Sequence, residues 1–238
     1  MRLALETATD RASVALGMSA VGAFEGEIVG ARRHAAGVVP MIDDLLHRAG
    51  ATLDDLTAVV LSDGPGSFTG LRVGASVAKA LVQARGLALW TAPSLMVRAA
   101  GAAHPGATVL AVSDALRGEV YAAAYRFDAD AVITLLPPSV WHPDRLTGSA
   151  SRPDLLVGDA SEGAVRTLEL WAGVALIRPP AGSPRARALL SLMDRTGGTV
   201  RVESMERWEP AYGRPAEAQA RWETAHGRPL PYSVGSPG

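Results

Sequence analysis

The chain has 238 residues, 48% of them hydrophobic, which is enough to build one large domain or two small lobes around a buried core. Its formal net charge of −1 gives no overall field that attracts polyanions, so a dedicated nucleic-acid-binding surface is not indicated. Because cysteine is absent, a disulfide scaffold, a thiolate metal site and a cysteine nucleophile are all excluded.

The N-terminal third has the pattern of a small sheet followed by a helix. Residues 3–16 read as a β-hairpin, since two apolar stretches flank the polar turn at 7–10, and residues 21–31 supply a third strand. Residues 37–49 predict an amphipathic helix with one apolar stripe, formed by Val38, Met41, Ile42 and Leu45. Gly50 is a natural stop for that helix.

The most unusual stretch is a Gly/Pro-rich turn at 63–74, between a buried-type strand at 58–61 and a helix that runs to about Arg85. A glycine loop before a helix can bind phosphate, but this one lacks the lysine of a Walker A loop. It also lacks a nucleophile elbow, because Pro65 stands where that motif needs glycine. The alternative is a tight turn with Ser67 or Thr69 capping the helix.

The helix after this turn carries small residues at four-residue spacing: Gly70, Gly74 and Ala78. Such a stripe lets another backbone approach closely. It is compatible with packing inside the chain and with a helical interface to a partner.

The rest of the chain predicts a second, smaller unit. A strand (87–91) and a helix (94–103) precede a break at 104–106, followed by strands at 108–113, 119–127 and 155–158 and a helix at 185–195. We therefore expect a first lobe at 1–106 and a second at 107–205. A tail at 206–238, rich in Pro, Glu, Arg and Gly, is expected to be disordered or extended on a surface.

Candidate catalytic groups are few. No two of the five histidines are spaced to ligate a metal from one helix, so a histidine metal site is not expected. Glu6 and Asp114 each end a predicted strand, which suits phosphoryl chemistry in a cleft between lobes. Both positions equally suit turn formation, in which a carboxylate bonds nearby backbone.

The Gly/Pro-rich segment at 63–74 closely resembles that of the TsaB (YeaZ) family, and other segments agree in order. Residues 5–9 resemble the family's opening strand and turn, with Glu6 where Asp is usual. Residues 114–121 resemble its D-A-x-x-G-E-V-Y motif, and residues 209–212 its late E-P-x-Y segment. The resemblance spans roughly residues 1–215.

The resemblance implies an α/β fold of two actin-like (ASKHA, RNase H-like) lobes. It implies a scaffold and activator role in synthesis of threonylcarbamoyladenosine beside the tRNA anticodon, with the helices at about 37–49 and 68–85 packing on the catalytic paralogue TsaD. Further implied partners are the ATPase subunit TsaE, tRNA only through the complex, and a second copy of the chain when TsaD is absent. The expected contact residues are Val38, Met41, Ile42, Leu45, Gly70, Arg72, Gly74 and Ala78.

TsaD itself shares the glycine segment and, in that family, binds a metal through an H-x-x-x-H pair on the helix after the third strand. Ser94 and Arg98 stand at those two positions here. Serine is a poor ligand and arginine repels a cation. We therefore expect a non-catalytic subunit without a metal or cofactor of its own, and with nucleotide, if any, at the junction with the partner.

Two other functions stay open. The first is a stand-alone enzyme, either a peptidase or a small-molecule kinase. The second is a direct tRNA-binding module, against which stand the net charge and the three phenylalanines, although four tail arginines offer local charge. No signal peptide is indicated, because Glu6 interrupts the first apolar run, and no stretch of about 20 apolar residues is present. A cytoplasmic protein is expected.

Overall fold

The computed structural model describes residues 1–30 and 33–213. Within these residues the strands are β1 (Arg2–Glu6), β2 (Arg11–Gly17), β3 (Phe24–Val29), β4 (Ala58–Ser62), β5 (Ala88–Ala92), β6 (Thr108–Asp114), β7 (Val120–Phe127), β8 (Val132–Trp141), β9 (Leu155–Gly158), β10 (Leu176–Ile177) and β11 (Val200–Arg201). The helices are α1 (His34–Arg48), α2 (Phe68–Arg85), α3 (Ser94–Ala102), α4 (Pro143–Ser149), α5 (Glu162–Ala172) and α6 (Ala186–Met193), with a 3₁₀ turn at Leu53–Asp55.

The strands form two mixed sheets. The first has the order β11-β5-β4-β1-β2-β3 and the second the order β10-β9-β6-β7-β8. In the first sheet β1 pairs antiparallel with β2 and parallel with β4. In the second sheet β6 pairs antiparallel with β7 and parallel with β9. Two mixed sheets flanked by helices confirm the predicted α/β class with two lobes.

Helices and sheets alternate in five layers. Helices α1 and α2 pack on the outer face of the first sheet, and α4 and α5 lie on the outer face of the second. Between the sheets, α6 contacts β1, β2 and β4, while α3 contacts α6 and strands β6, β7 and β9. The middle layer therefore joins the two lobes through one shared core.

The alternation of side chains along each strand builds these layers. On β1, Leu3 and Leu5 belong to the core beneath α1 and α2, whereas Ala4 faces the middle layer. On β6, Val109 and Ala111 face the middle layer, whereas Leu110 and Val112 face α4 and α5. Both faces of these strands are buried, which explains why they read as continuous apolar runs.

The predicted elements of the first half are confirmed, with ends displaced by a few residues. Five elements of the second half were not predicted: β8, α4, α5, β10 and β11. Pro137 and Pro138 lie inside β8, and proline inside a run argues against a strand. The structure accommodates them because β8 is the last strand of its sheet and pairs only with β7 among the described strands.

The chain between 186 and 213 differs from the predicted division. Helix α6 and strand β11 lie in the range 107–205 that was predicted as the second lobe, but α6 packs on the first sheet and β11 pairs with β5 of that sheet. The start of the predicted tail is also attached to the first lobe, since Trp208 packs beside α2 and the Ala211 N–H donates to the Asp63 carbonyl at 2.7 Å. Residues 214–238 of the predicted tail lie outside the described residues. The boundary near residue 106 stays a prediction.

Candidate functional site

The glycines of the 63–74 segment allow α2 to approach the turn between β1 and β2. A Cβ at Gly70 would lie 2.0 Å from the Thr7 carbonyl oxygen, and a Cβ at Gly74 would lie 2.4 Å from Thr7 Oγ1. Ser67 caps the helix, since its Oγ accepts the Gly70 N–H at 3.3 Å, which confirms that sequence alternative. The small-residue stripe is therefore used for packing inside the chain.

Most of the predicted partner-contact residues lie in the chain's own core. The buried ones are Val38, Ile42, Leu45, Gly70, Gly74 and Ala78. Each faces the first sheet, because an amphipathic helix buries its apolar stripe on the nearest sheet before any partner is available. Ile42 also borders an apolar groove on the outer surface between α1 and α2. Contact of these six residues with a partner stays a prediction.

Two of the predicted contact residues remain accessible. Met41 is partly buried, and Arg72 is exposed on the outer side of α2, with its guanidinium 5.4 Å from the centre of the Phe68 ring. A contact of either residue with a partner stays a prediction.

An apolar groove runs along the outer surface between α1 and α2. It has a volume of about 450 Å³, and we call it the α1–α2 groove; its lining residues are Val39, Ile42, Asp43, Leu46, Leu53, Ser76, Val77, Ala80 and Leu81. Val39 is 57% exposed and Leu53 is 39% exposed, which is unusual for aliphatic side chains that lie together. The groove is the outer counterpart of the buried stripe.

A sequence signal for this groove was present. Val73, Val77 and Leu81 stand at four-residue spacing on α2, one position before Gly74, Ala78 and Val82. Two adjacent stripes on one helix predict that one is buried and the other is at the surface. The spacing alone does not distinguish the two stripes, and only packing against β1 and β4 shows that the small-residue stripe faces inward.

A second depression, of about 990 Å³, opens between the lobes, and we call it the inter-lobe cavity. From the first lobe it is lined by the turn at 8–10, the α2 entry at 66–68 and Arg98. From the second lobe it is lined by the turn at 113–117 and Asp159. Aromatic rings lie at its edge, with Phe68 and Tyr212 4.7 Å apart.

The two strand-end carboxylates are placed differently. Asp114 lines the inter-lobe cavity, whereas Glu6 is fully buried and is not part of the cavity wall. Each accepts a backbone N–H two residues further along the chain: Glu6 Oε1 from Ala8 at 2.7 Å and Asp114 Oδ1 from Leu116 at 2.9 Å. The turn-forming alternative therefore describes both.

Burial has the largest effect on the pKa values of two acids at strand ends of the first sheet, Glu6 and Asp63. Desolvation raises the pKa of Glu6 from 4.5 to about 7, opposed by the nearby Ser62 hydroxyl, the Ala8 N–H and the charge of Arg98. Desolvation likewise raises the pKa of Asp63 to about 6, opposed first by a hydrogen bond with Thr91. A pKa of about 7 brings Glu6 close to half-protonation at neutral pH, whereas a pKa of about 6 leaves Asp63 mostly ionised.

Ser94 and Arg98, the positions that the resemblance aligns with metal ligands of the TsaD family, do not fit a metal. Ser94 Oγ already accepts the Gly64 N–H at 3.0 Å. Arg98 places a guanidinium between the sheets, where it forms an ion pair of 2.5 Å with Asp159. In the described residues no group of three or more His, Asp or Glu side chains is arranged to hold a metal. Nor does any described helix combine the length and apolar character that crossing a membrane requires.

Comparisons with known proteins agree on one family. The family model described as "TsaD: tRNA N6-adenosine threonylcarbamoyltransferase" matches residues 28–172. The Escherichia coli tRNA threonylcarbamoyladenosine biosynthesis protein TsaB is 36% identical over 156 residues, and the Haemophilus influenzae protein of the same name is 38% identical over 121 residues.

The extent of these matches differs between sequence and structure. The E. coli alignment covers 65% of this chain and 63% of its relative, and the H. influenzae alignment covers 50% and 51%. The chain thus spans less than two thirds of these relatives in sequence. The solved structure of YeaZ from Pseudomonas aeruginosa superposes with a TM-score of 0.69 at 29% identity, covering 89% of this chain and 98% of that one.

Proposed function

This chain belongs to the TsaB (YeaZ) family, within the wider family of the TsaD model, and we propose that it is a non-catalytic scaffold and activator subunit in tRNA threonylcarbamoyladenosine synthesis. Its partner in this proposal is the catalytic paralogue TsaD of the same organism, in the cytoplasm. In this proposal TsaE is a further subunit of the complex, tRNA is bound only by the complex as a whole, and nucleotide binds at the junction between subunits.

The observation that carries the proposal is the α1–α2 groove. Aliphatic surface comes together from Val39 on α1, from Val77 and Leu81 on α2, and from Leu53 in the 3₁₀ turn. The two helices are anchored to the sheet by their other faces. A rigid pair of helices with an apolar furrow between them accepts helices of a partner, as in helix-in-groove recognition. The same surface accounts for a homodimer when TsaD is absent, since a C₂ interface uses one patch on both subunits.

The non-catalytic part of the proposal is supported by the structural roles of three residues at or near the inter-lobe cavity. Glu6 has no access to the inter-lobe cavity, Ser94 is held by the Gly64 N–H, and Arg98 is paired with Asp159. These side chains perform structural tasks at positions where a phosphotransfer enzyme of this fold needs metal-handling groups.

The proposal is tested by size-exclusion chromatography with light scattering on the chain alone and mixed with its organism's TsaD. We expect a homodimer alone and a one-to-one heterodimer in the mixture. Val39→Arg, which puts a charge into the groove at an exposed helix position, should weaken both associations by at least tenfold in Kd, because a desolvated charge in an apolar contact is costly.

The matched control is Leu170→Arg. Leu170 is 79% exposed on α5, at the far side of the second sheet, so the variant changes the same kind of residue outside the groove. It should associate like the unaltered chain. Absence of any complex with TsaD, with and without nucleotide, would remove the proposal, and turnover of ATP or a peptide by the isolated chain would favour the stand-alone enzyme.

A further inference from the structure

Arg98 occupies a place where a charged side chain is costly. It lies on α3, in the layer between the two sheets, and is only 3% exposed. Its neighbours along the helix, Leu95, Val97 and Ala99, are core residues of that layer. A guanidinium in such surroundings is retained only when a carboxylate compensates its charge.

The compensating carboxylate comes from the other lobe. Asp159 follows β9 of the second sheet, its side chain is 45% exposed on the cavity wall, and its Oδ1 lies 2.5 Å from Arg98 Nη1. Arg98 itself is carried by the segment that directly follows β5 of the first sheet. Because α3 packs on α6 and on β6, β7 and β9, the ion pair lies where α3 meets the end of β9, at the inner end of the inter-lobe cavity.

The backbone before Asp159 is shaped around the guanidinium. Gly158 has φ +139°, a conformation that side chains rarely adopt. A Cβ there would lie 1.9 Å from the Val112 carbonyl oxygen and 3.1 Å from Arg98 Nη1. Only glycine lets β9 end close enough to β6 and α3 for Asp159 to reach Arg98.

The first lobe contributes a carboxylate of its own on the other side. Side chains alternate along β1 and β4, so Glu6 faces the middle layer like Ala4, and Ser62 faces it like Val60. The positive charge of Arg98 lowers the pKa of Glu6. Asp63 adds a further acid beside Glu6. Arg98 thus stands between acids of both lobes.

We propose that Arg98 is a built-in cation whose pairing with Asp159 fixes α3, and with it the chain that follows β5 of the first sheet, against the end of β9 in the second sheet. The pair is a positioning device: it contributes, together with the shared core, to the width of the inter-lobe cavity.

The lobe geometry can be measured directly because the chain has no cysteine. Ala84→Cys on α2 and Arg166→Cys on α5 place spin labels at exposed positions of the two outermost layers. Pulsed electron–electron double resonance should give one narrow distribution of distances between the two spin labels. Adding Asp159→Asn should broaden that distribution and lengthen its mean, and Arg98→Met should do the same.

The control is Asp128→Asn, which removes an acid from the Arg126–Asp128 pair inside the second lobe and should leave the distribution unchanged. Arg98→Met leaves buried acids uncompensated and can fail to fold, so the half-exposed Asp159 carries the decisive variant. A folded Asp159→Asn chain with the distribution of the unaltered protein would overturn the proposal. Equal broadening by Asp128→Asn would also overturn it, because general loosening would then explain the change.

Discussion

At the scale of single residues, glycine is required at positions 70 and 74 because α2 lies very close to the turn between β1 and β2. Gly70 and Gly74 face the turn that follows β1, where the Thr7 carbonyl and hydroxyl fill the space that a Cβ needs. Helix α2 can lie this close to the sheet only without side chains at those positions. Gly86 has a different task, since its φ of 64° ends the same helix in the left-handed conformation.

We predict that Gly70→Ala destabilises the chain by about 1–3 kcal/mol or more, because a methyl group 2.0 Å from a backbone oxygen forces α2 away from the β1–β2 turn. Chemical denaturation of the purified variant measures this change. Gly101→Ala on α3 is the matched control, since nothing lies within 4 Å of its Cβ position. That variant should gain about 0.5–1 kcal/mol from helix propensity, and a neutral Gly70→Ala would contradict the packing argument.

Glu6 predicts how stability depends on pH. Its pKa is about 7 in the folded chain against an ordinary 4.5, so between these values the folded state holds a proton that the unfolded state has lost. Its contribution to the free energy of unfolding is fully present below about pH 4.5 and disappears as pH rises through about 7. Asp63, with a pKa of about 6, acts in the same direction.

We therefore expect Glu6→Gln to flatten the fall in unfolding free energy between pH 5 and pH 8, a fall on the order of 3 kcal/mol for one such group. Urea denaturation at a series of pH values measures it, and the remaining slope belongs to Asp63. Glu203→Gln, at an exposed position, serves as control and should keep the full slope. An unchanged slope in Glu6→Gln would show that Glu6 ionises normally in the folded chain.

At the scale of elements, α1 and α2 each have two useful faces. Their inner faces fill the core over the first sheet, and their outer faces form the α1–α2 groove. A test of partner binding by bulky substitution at Gly74 or Ala78 would measure packing instead, since both positions point inward. Variants at Val39 separate binding from folding because that side chain is 57% exposed.

The segment after β11 is fastened to α2 by Lys79, the only lysine of the chain. Lys79 Nζ donates to the Trp208 carbonyl oxygen at 2.7 Å and lies 5.4 Å from the centre of the Trp208 ring. The combination of a hydrogen bond and a cation–π contact ties the residues before 209 to the first lobe.

Replacing Lys79 with Met should free this segment while leaving the sheets intact. We expect hydrogen exchange of the Trp208 amide, which donates to the Ser204 carbonyl, to accelerate by roughly tenfold, the equivalent of about 1.4 kcal/mol. Gln83→Met, an exposed change on the same helix, should leave that amide unaffected. Unaltered exchange in Lys79→Met would show that the packing of Trp208 holds the segment by itself.

At the scale of the whole molecule, the five layers place the candidate surfaces apart. The α1–α2 groove lies on the outer face of the first lobe, whereas the Arg98–Asp159 pair lies in the middle layer. A variant in one should therefore leave the other unchanged, since sites this far apart with no shared contacts act additively. This separation allows partner binding and lobe geometry to be tested independently.

The sequence by itself determined much of this protein. Apolar runs identified the central strands, the strand–Gly/Pro turn–helix order placed α2, and the motifs at 63–74 and 114–121 indicated the family that the comparisons confirm. The lack of cysteine excluded disulfides and thiolate chemistry, and the lack of a lysine after the glycine turn excluded a Walker A loop. These features are local, because each is written in neighbouring residues or in a regular spacing.

Tertiary structure alone decided which of two stripes on α2 is buried, that α6 and β11 return to the first sheet, and that Arg98 meets Asp159. The physical reason is that each outcome depends on residues far apart in the chain. Both stripes on α2, the one that contains Val77 and the one that contains Gly74, are apolar in sequence. Only the position of Thr7 shows that the stripe with Gly74 faces the sheet. An arginine on an apolar helix gives no sign of its partner until β9 is set beside β6.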